Sequence, residues 1–123
     1  MYPEQIMADV LWIFKGQSYA SRDEFISDVS AYNMRIHKKD WEPDEVVLNS
    51  KTVKVFYEYW NDDMDVSAES VFTASGDSFT AAELLYLINQ ELADKELGDH
   101  VFFEGLYNEK KNGKAEYLIF LGS

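Results

Sequence analysis

Two segments of the chain place a glycine and a serine at the spacing found in part of a nucleophile elbow. Gly16-x-Ser18 and Gly76-x-Ser78 match the first half of Gly-x-Ser-x-Gly, the pattern that exposes a serine hydroxyl for attack on a carbonyl carbon. The second glycine is missing from both, because alanine stands at position 20 and threonine at position 80. No histidine lies where it could serve as the base. The pattern therefore favours a structural role over a catalytic serine.

The remaining groups that could hold a metal ion have the wrong spacing. Carboxylates from Asp62 to Asp65 are the ligands that calcium prefers, but a calcium loop needs a glycine at its sixth place, where this chain has Ala68. On a strand, His100 and Glu104 lie too far apart for a shared ligand. His37 suits the negative pole of a helix end. We therefore predict no metal site and no cofactor.

Both glycine-serine segments lead into a capping box, in which a hydroxyl and a carboxylate bond the first backbone N–H groups of a helix. The two boxes are Ser21-x-x-Glu24 and Thr80-x-x-Glu83. Their similarity suggests a duplicated unit within a single domain, residues 1–123, with pseudo-repeats at approximately 8–60 and 66–121. The chain contains no cysteine, which excludes disulfides and thiolate chemistry.

Hydrophobic periodicity predicts the same order of elements in each half. In the first half, a buried strand at residues 10–15 precedes a helix that begins after Ser21 and buries one stripe, and a hairpin then joins strands 45–48 and 52–60. The stripe consists of Phe25, Val29, Tyr32 and Ile36, with Ile26 at its edge.

In the second half, a strand near residues 67–74 precedes a helix that begins after Thr80, with Phe79 and Leu84 as a hydrophobic staple. Gly98 is predicted to end this helix in a left-handed cap. A last hairpin joins 101–108 to 115–121 across Asn112-Gly113. The fold predicted is α+β, two tandem β-α-β-β units with a largely antiparallel sheet and two helices packed on one face.

The net charge of −12 is concentrated in one part of the chain. The chain has 23 acidic and 11 basic residues, but positions 55–109 hold 13 of the acids and a single base, Lys95. Phosphate contacts need clustered lysine and arginine, so this distribution disfavours direct binding to nucleic acid or to an anionic membrane. It favours a basic protein partner.

Aromatic residues make up 19 of the 123 positions, and some are expected at a protein interface. On a helical wheel Leu87 falls on the acidic side of helix two, where exposure and burial remain equally consistent with the pattern. Trp60 and Met64 leave the same alternatives open. The candidate partner-binding residues are Trp60, Asp62, Asp63, Met64, Asp65, Glu83, Leu87, Glu91 and Asp94.

These observations predict a non-catalytic acidic protein-binding module, an inhibitor or immunity-type protein that masks a basic surface of a nuclease or nucleic-acid-binding protein. The alternative is a small-ligand-binding protein or a carboxylate-based enzyme with a pocket between sheet and helices. The first apolar run is too short for a signal-peptide core or a membrane span, so a cytoplasmic location is expected. Monomer and homodimer both fit the sequence.

Overall fold

The computed structural model describes residues 2–123, which form two helices and seven strands. In chain order these are β1 Gln5–Ile6, α1 Arg22–His37, β2 Val46–Leu48, β3 Thr52–Asn61, β4 Met64–Thr73, β5 Phe79–Thr80, α2 Ala81–Leu92, β6 Phe102–Tyr107 and β7 Glu116–Gly122. One sheet has the strand order β1-β6-β7-β3-β4, and β2 and β5 form a second. Only the β3–β7 pair in this part of the chain is parallel. The predicted α+β class is confirmed.

The predicted division into two equivalent units is not confirmed. The predicted strand at residues 10–15 is wrong, because this segment makes only an isolated bridge, Ile13 to Phe102. Its backbone is held by a side chain instead: the carboxamide of Asn33 on α1 accepts from Leu11 N at 3.0 Å and donates to Leu11 O at 2.9 Å. The alternating apolar residues of the segment are buried, but burial does not require a strand partner.

The predicted hairpin between β2 and β3 is also wrong. β2 pairs with β5, and β3 pairs along its whole length with β4 across a two-residue turn. Asp62 and Asp63 occupy that turn with φ values of 52° and 63°, as a tight hairpin turn requires. The hairpin therefore forms one turn later than predicted, where the two strands are long enough for ten cross-strand pairs.

Helix α1 begins as predicted, because Ser21 Oγ accepts hydrogen bonds from the N–H groups of Asp23 and Glu24. It ends at a left-handed Lys38, whose N–H donates to Met34 O. Phe25 and Val29 are buried as expected. The inclusion of Ile36 in the buried stripe is wrong, since that side chain is 52% exposed in the last turn.

Helix α2 also begins at its predicted cap, where Thr80 Oγ1 accepts from Glu83 N at 3.1 Å. Phe79 and Leu84 are fully buried, as a hydrophobic staple requires. The predicted end at Gly98 is wrong, because the helix stops at Leu92. Gly98 has a φ of 65°, but it lies in the turn that follows.

The closing hairpin of β6 and β7 is confirmed, whereas its predicted turn is not. Lys111 and Gly113 have the positive φ values, and Lys111 N donates to the side chain of Asn108. Asn112-Gly113 therefore belongs to a longer loop. This loop places β7 beside β3 at the centre of the large sheet.

The two faces of the large sheet differ in what covers them. On the covered face, Val55, Tyr57 and Ile119 pack against Ile88 and Leu92 of α2. α1 lies beside α2, where the rings of Phe25 and Tyr86 are 5.6 Å apart. No helix in residues 2–123 lies on the opposite, open face. Strand alternation and register place on it Phe56, Glu58, Trp60, Asp65, Glu69, Glu104, Leu118 and Phe120.

Neither helix within residues 2–123 is long and apolar enough to cross a membrane.

Candidate functional site

Five of the predicted partner-binding residues come together at the tip of the β3–β4 hairpin. The turn residues Asp62 and Asp63 are exposed, and Trp60 lies directly across from Asp65. Met64 is 69% exposed and Trp60 45% exposed, which are high values for such large apolar side chains. We call these residues, Trp60 and Asp62–Asp65, the hairpin tip. It combines an exposed aromatic ring with three carboxylates.

The position of Trp60 is fixed by the segment that follows α2. Trp60 N donates to Glu96 O at 2.7 Å, which makes an isolated bridge between the hairpin and this segment. The indole also lies against the backbone of Gly98, where a Cβ would approach Trp60 Nε1 to 3.2 Å. Trp60 is therefore exposed on one side and supported on the other.

The structure places Glu83 and Leu87 away from the hairpin tip, in structural positions. Glu83 is 5% exposed, and its carboxylate accepts from Ser75 N at 3.1 Å and pairs with Arg22 at 3.4 Å. Leu87 is half-buried and packs against the hydrophobic core. The helical wheel placed Glu83 on an outer stripe, but the loop after β4 covers it. Neither residue is part of the hairpin tip.

Glu91 and Asp94 are engaged by groups of the chain itself. Tyr57 Oη donates to Glu91 at 2.8 Å, and burial of the phenol, the largest influence, raises the pKa of Tyr57. Lys95 Nζ lies 2.7 Å from Asp94 and 3.9 Å from Glu91. The hydrogen bond from Lys95 lowers the pKa of Asp94. The single base of the acidic stretch therefore partly neutralises this side of α2.

A groove of about 390 Å³ runs along the open face next to the hairpin tip. Leu118 and Phe120 line its sheet side, Trp60 one wall, and Glu58 and Glu104 supply carboxylates. His100 and Leu97, from the segment after α2, also line it. Sequence reasoning missed Glu58, Glu104 and Phe120 as site residues. The alternation Phe56, Glu58, Trp60 on β3 was the signal, since it marks aromatic and acidic residues facing away from the core.

The two ends of the open face differ in whether their acidic residues are paired with lysines. At the end farther from the hairpin tip, Lys54 lies 3.4 Å from Glu69 and 3.8 Å from Glu116, and Lys110 Nζ lies 4.4 Å from the centre of the Phe56 ring. At the groove, neither Glu58 nor Glu104 forms an ion pair with any lysine or arginine in residues 2–123. At one end of the face, lysines of the described chain therefore pair with the carboxylates and the aromatic ring. At the other end, Glu58 and Glu104 have no such partner.

Other features offer less for chemistry. The space between Tyr57, Ile88 and Ile119 has no room for a water molecule. A cleft of about 180 Å³ beside His37 and Trp41 is lined by Glu42 and Glu45, and burial, followed by the neighbouring Glu42, raises the pKa of Glu45. No group of three or more histidine, aspartate or glutamate side chains within residues 2–123 is arranged to hold a metal ion.

Comparison of the chain with protein-family models, with curated proteins and with solved structures found no match.

Proposed function

We propose that this protein is a non-catalytic acidic binding module, an inhibitor or immunity-type protein that masks a basic surface of a partner such as a nuclease or nucleic-acid-binding protein. The observation that carries the proposal is the hairpin tip, where Trp60 and Met64 are exposed among three carboxylates that have no basic partner in the described chain. Tryptophan is enriched among binding hot spots, where its large ring is buried against the partner.

The distribution of charge supports a protein as the partner. The net charge of −12 would attract lysine and arginine on the target, mainly within about 8 Å at physiological ionic strength, and the aromatic and methionine side chains would then be buried at contact. A nucleic acid would be repelled by the same field. The exposed methionine adds an adaptable apolar contact.

The contact surface proposed is the hairpin tip together with the adjoining groove on the open face. Trp60 and Asp65 of the hairpin tip lie on the same side of the sheet as the groove, opposite the face that α2 covers, whereas strand alternation places Met64 on the other side. This surface leaves the hydrophobic core undisturbed, so binding requires no unfolding of the module. It also replaces the α2 residues Glu83 and Leu87, which are engaged in packing.

The test begins with affinity capture from the native cell extract at low and high salt, followed by purification of any basic protein recovered at low salt. Association of that protein is then measured with the wild type and with Asp62→Asn/Asp63→Asn/Asp65→Asn. Asparagine tolerates the positive φ values of the turn, so the hairpin is retained. We expect slower association and a weaker dependence on salt.

The matched control is Asp9→Asn/Asp44→Asn/Asp77→Asn, which removes the same charge from three exposed positions outside the hairpin tip. It should retain most of the association rate. Equal effects of the two variants would show that only net charge matters and would remove the site assignment. Failure of the wild type to bind any basic protein would overturn the function itself.

A further inference from the structure

The groove beside the hairpin tip has the composition of a pocket for one cationic side chain. Its volume of about 390 Å³ lies above Leu118 and Phe120, with the Trp60 indole at one side. Glu58 on β3 and Glu104 on β6 stand on two strands with β7 between them. No lysine or arginine is among the residues that line it. The groove thus offers aromatic surface and two formal negative charges.

The carboxylate of Glu104 reaches into the groove because position 122 has no side chain. A Cβ built on Gly122 would overlap the carboxylate of Glu104, so the glycine allows this side chain to lie across β7. Gly122 pairs with Phe102 in the ladder of β6 and β7, next to the strand position of Glu104. The backbone of β7 therefore determines where the charge of Glu104 is placed.

At the end of the open face away from the hairpin tip, similar carboxylates and an aromatic ring already bind cationic side chains. There Lys54 bridges two carboxylates, Glu69 and Glu116, and Lys110 covers the ring of Phe56. The groove presents the same two elements, a pair of carboxylates and an aromatic surface. Within the described chain, no cation of a lysine or arginine occupies that pair.

We propose that the groove binds the guanidinium group of an arginine side chain that the partner inserts beside Trp60 and Phe120. This inference rests on the proposed function and names the part of the basic partner that is recognised. Arginine fits better than lysine because its planar group stacks on aromatic rings and donates paired hydrogen bonds to carboxylates. A lysine ammonium is a compact and strongly hydrated charge that gains less from stacking.

The probe is N-acetyl-arginine amide, titrated to millimolar concentration into the nitrogen-15-labelled protein. The indole N–H of Trp60 reports on the groove, whereas those of Trp12 and Trp41 donate to Asn89 and Ser30 at 3.1 and 2.9 Å. We expect a saturable shift of the Trp60 indole and of amides in β6 and β7. N-acetyl-citrulline amide has nearly the same shape without the charge and should cause no saturable shift.

Three variants connect the shift to the groove. Glu58→Gln/Glu104→Gln should weaken binding of the arginine probe about tenfold or more, whereas Asp77→Asn/Glu109→Gln, with the same charge change at exposed sites elsewhere, should not. Gly122→Ala retains the net charge but displaces the Glu104 carboxylate, so it should also weaken binding. All are exposed or partly exposed positions, and unchanged amide spectra elsewhere confirm the fold.

The proposal is overturned if arginine amide causes no saturable shift at Trp60, if citrulline amide is equivalent to it, or if the shift survives the double glutamine variant. These outcomes are independent of whether a protein partner has been found. A basic partner that binds the hairpin tip and leaves the groove residues unperturbed would retain the proposed function and remove this inference.

Discussion

The covered and open faces of the large sheet are built from alternate residues of the same strands, yet they differ in how their groups are satisfied. On β7, Tyr117 is fully buried and its hydroxyl donates to Pro3 O, whereas its neighbours Leu118 and Phe120 are only half-buried. Both faces carry large apolar side chains. Apolar content therefore does not distinguish a core face from a contact face in this protein.

The two faces differ in whether their carboxylates have partners within the chain. On the covered side, the carboxylates of Glu83 and Glu91 accept hydrogen bonds from Ser75 N and Tyr57, respectively. On the open side, Glu58 and Glu104 stand beside aromatic rings without a basic partner in residues 2–123. Carboxylates that are bonded within the chain stabilise the fold, whereas exposed carboxylates without a basic partner are suited to a cationic group of a second molecule.

The largest effect should come from truncating the covered face. Tyr117→Ala removes a fully buried ring and a 2.6 Å hydrogen bond to Pro3, so the free energy of unfolding should fall by about 3–5 kcal/mol. Leu118→Ala, one residue along the strand, should cost less than half as much. Urea unfolding of both variants measures the difference, and equal losses would mean that the open face is as important for stability as the core.

Glu83→Ala should have an intermediate effect on stability and none on binding. The change removes the buried carboxylate that accepts from Ser75 N and pairs with the guanidinium of Arg22, so the free energy of unfolding should fall by about 1–3 kcal/mol. The companion variant Glu104→Ala, on the open face, should alter stability by only about 0.5 kcal/mol. In binding of arginine amide, Glu104→Ala should instead have the larger effect and Glu83→Ala the smaller one. A larger effect of Glu83→Ala in both assays would contradict the difference between the two faces.

Alkaline pH should weaken the covered face by a smaller amount. Burial raises the pKa of Tyr57 above its ordinary 10.0, so the folded protein holds this proton more tightly than the unfolded chain does. The resulting stability is present below pH 10 and is lost as the pH rises through the folded pKa. Urea unfolding at a series of pH values should show this decline above pH 10.

Tyr57→Phe provides the control for that decline. It removes the hydroxyl that donates to Glu91 and costs about 1 kcal/mol at neutral pH. It should also make the alkaline decline shallower, with a remainder from Tyr19 and Tyr117, whose pKa values burial also raises. An unchanged slope would assign the decline to other groups.

Lys54→Gln on the open face should also change stability only slightly. Its ion pairs with Glu69 and Glu116 are partly exposed, and such pairs contribute about 0.2–1 kcal/mol. Their removal extends the unpaired acidic surface along the sheet. Association with a basic partner should then become faster and more sensitive to salt, which stopped-flow measurements at several salt concentrations would detect.

Local patterns predicted the helix starts and one strand pair correctly, but not the end of α2 or the turn of the last hairpin. Ser21 and Thr80 cap their helices, and the last hairpin pairs as its two apolar runs indicate. Other predictions failed because a residue far away in the chain determines the local structure. Asn33, 22 residues from Leu11, holds the backbone that was predicted as a strand. Likewise the loop at Ser75 covers Glu83, which a helical wheel places on an outer stripe.

The candidate site was predictable in part for the same reason. The exposure of the hairpin tip follows from a two-residue Asp62-Asp63 turn, which is a local feature. The groove depends on β6, β7 and β3 lying side by side, and strand order is a long-range property. Glu58 and Glu104 are 46 positions apart in the chain and line one groove only because β7 is inserted between their strands.

The sequence by itself determined the α+β class, the helix starts and the concentration of negative charge between positions 55 and 109, because propensity, capping and charge are properties of neighbouring residues. The tertiary structure alone decided how the strands pair apart from the last hairpin, which acids are buried and which are left without a basic partner. Those outcomes depend on hydrogen bonds and packing between residues far apart in the chain, since each buried polar group must be satisfied by whichever group the fold brings near it.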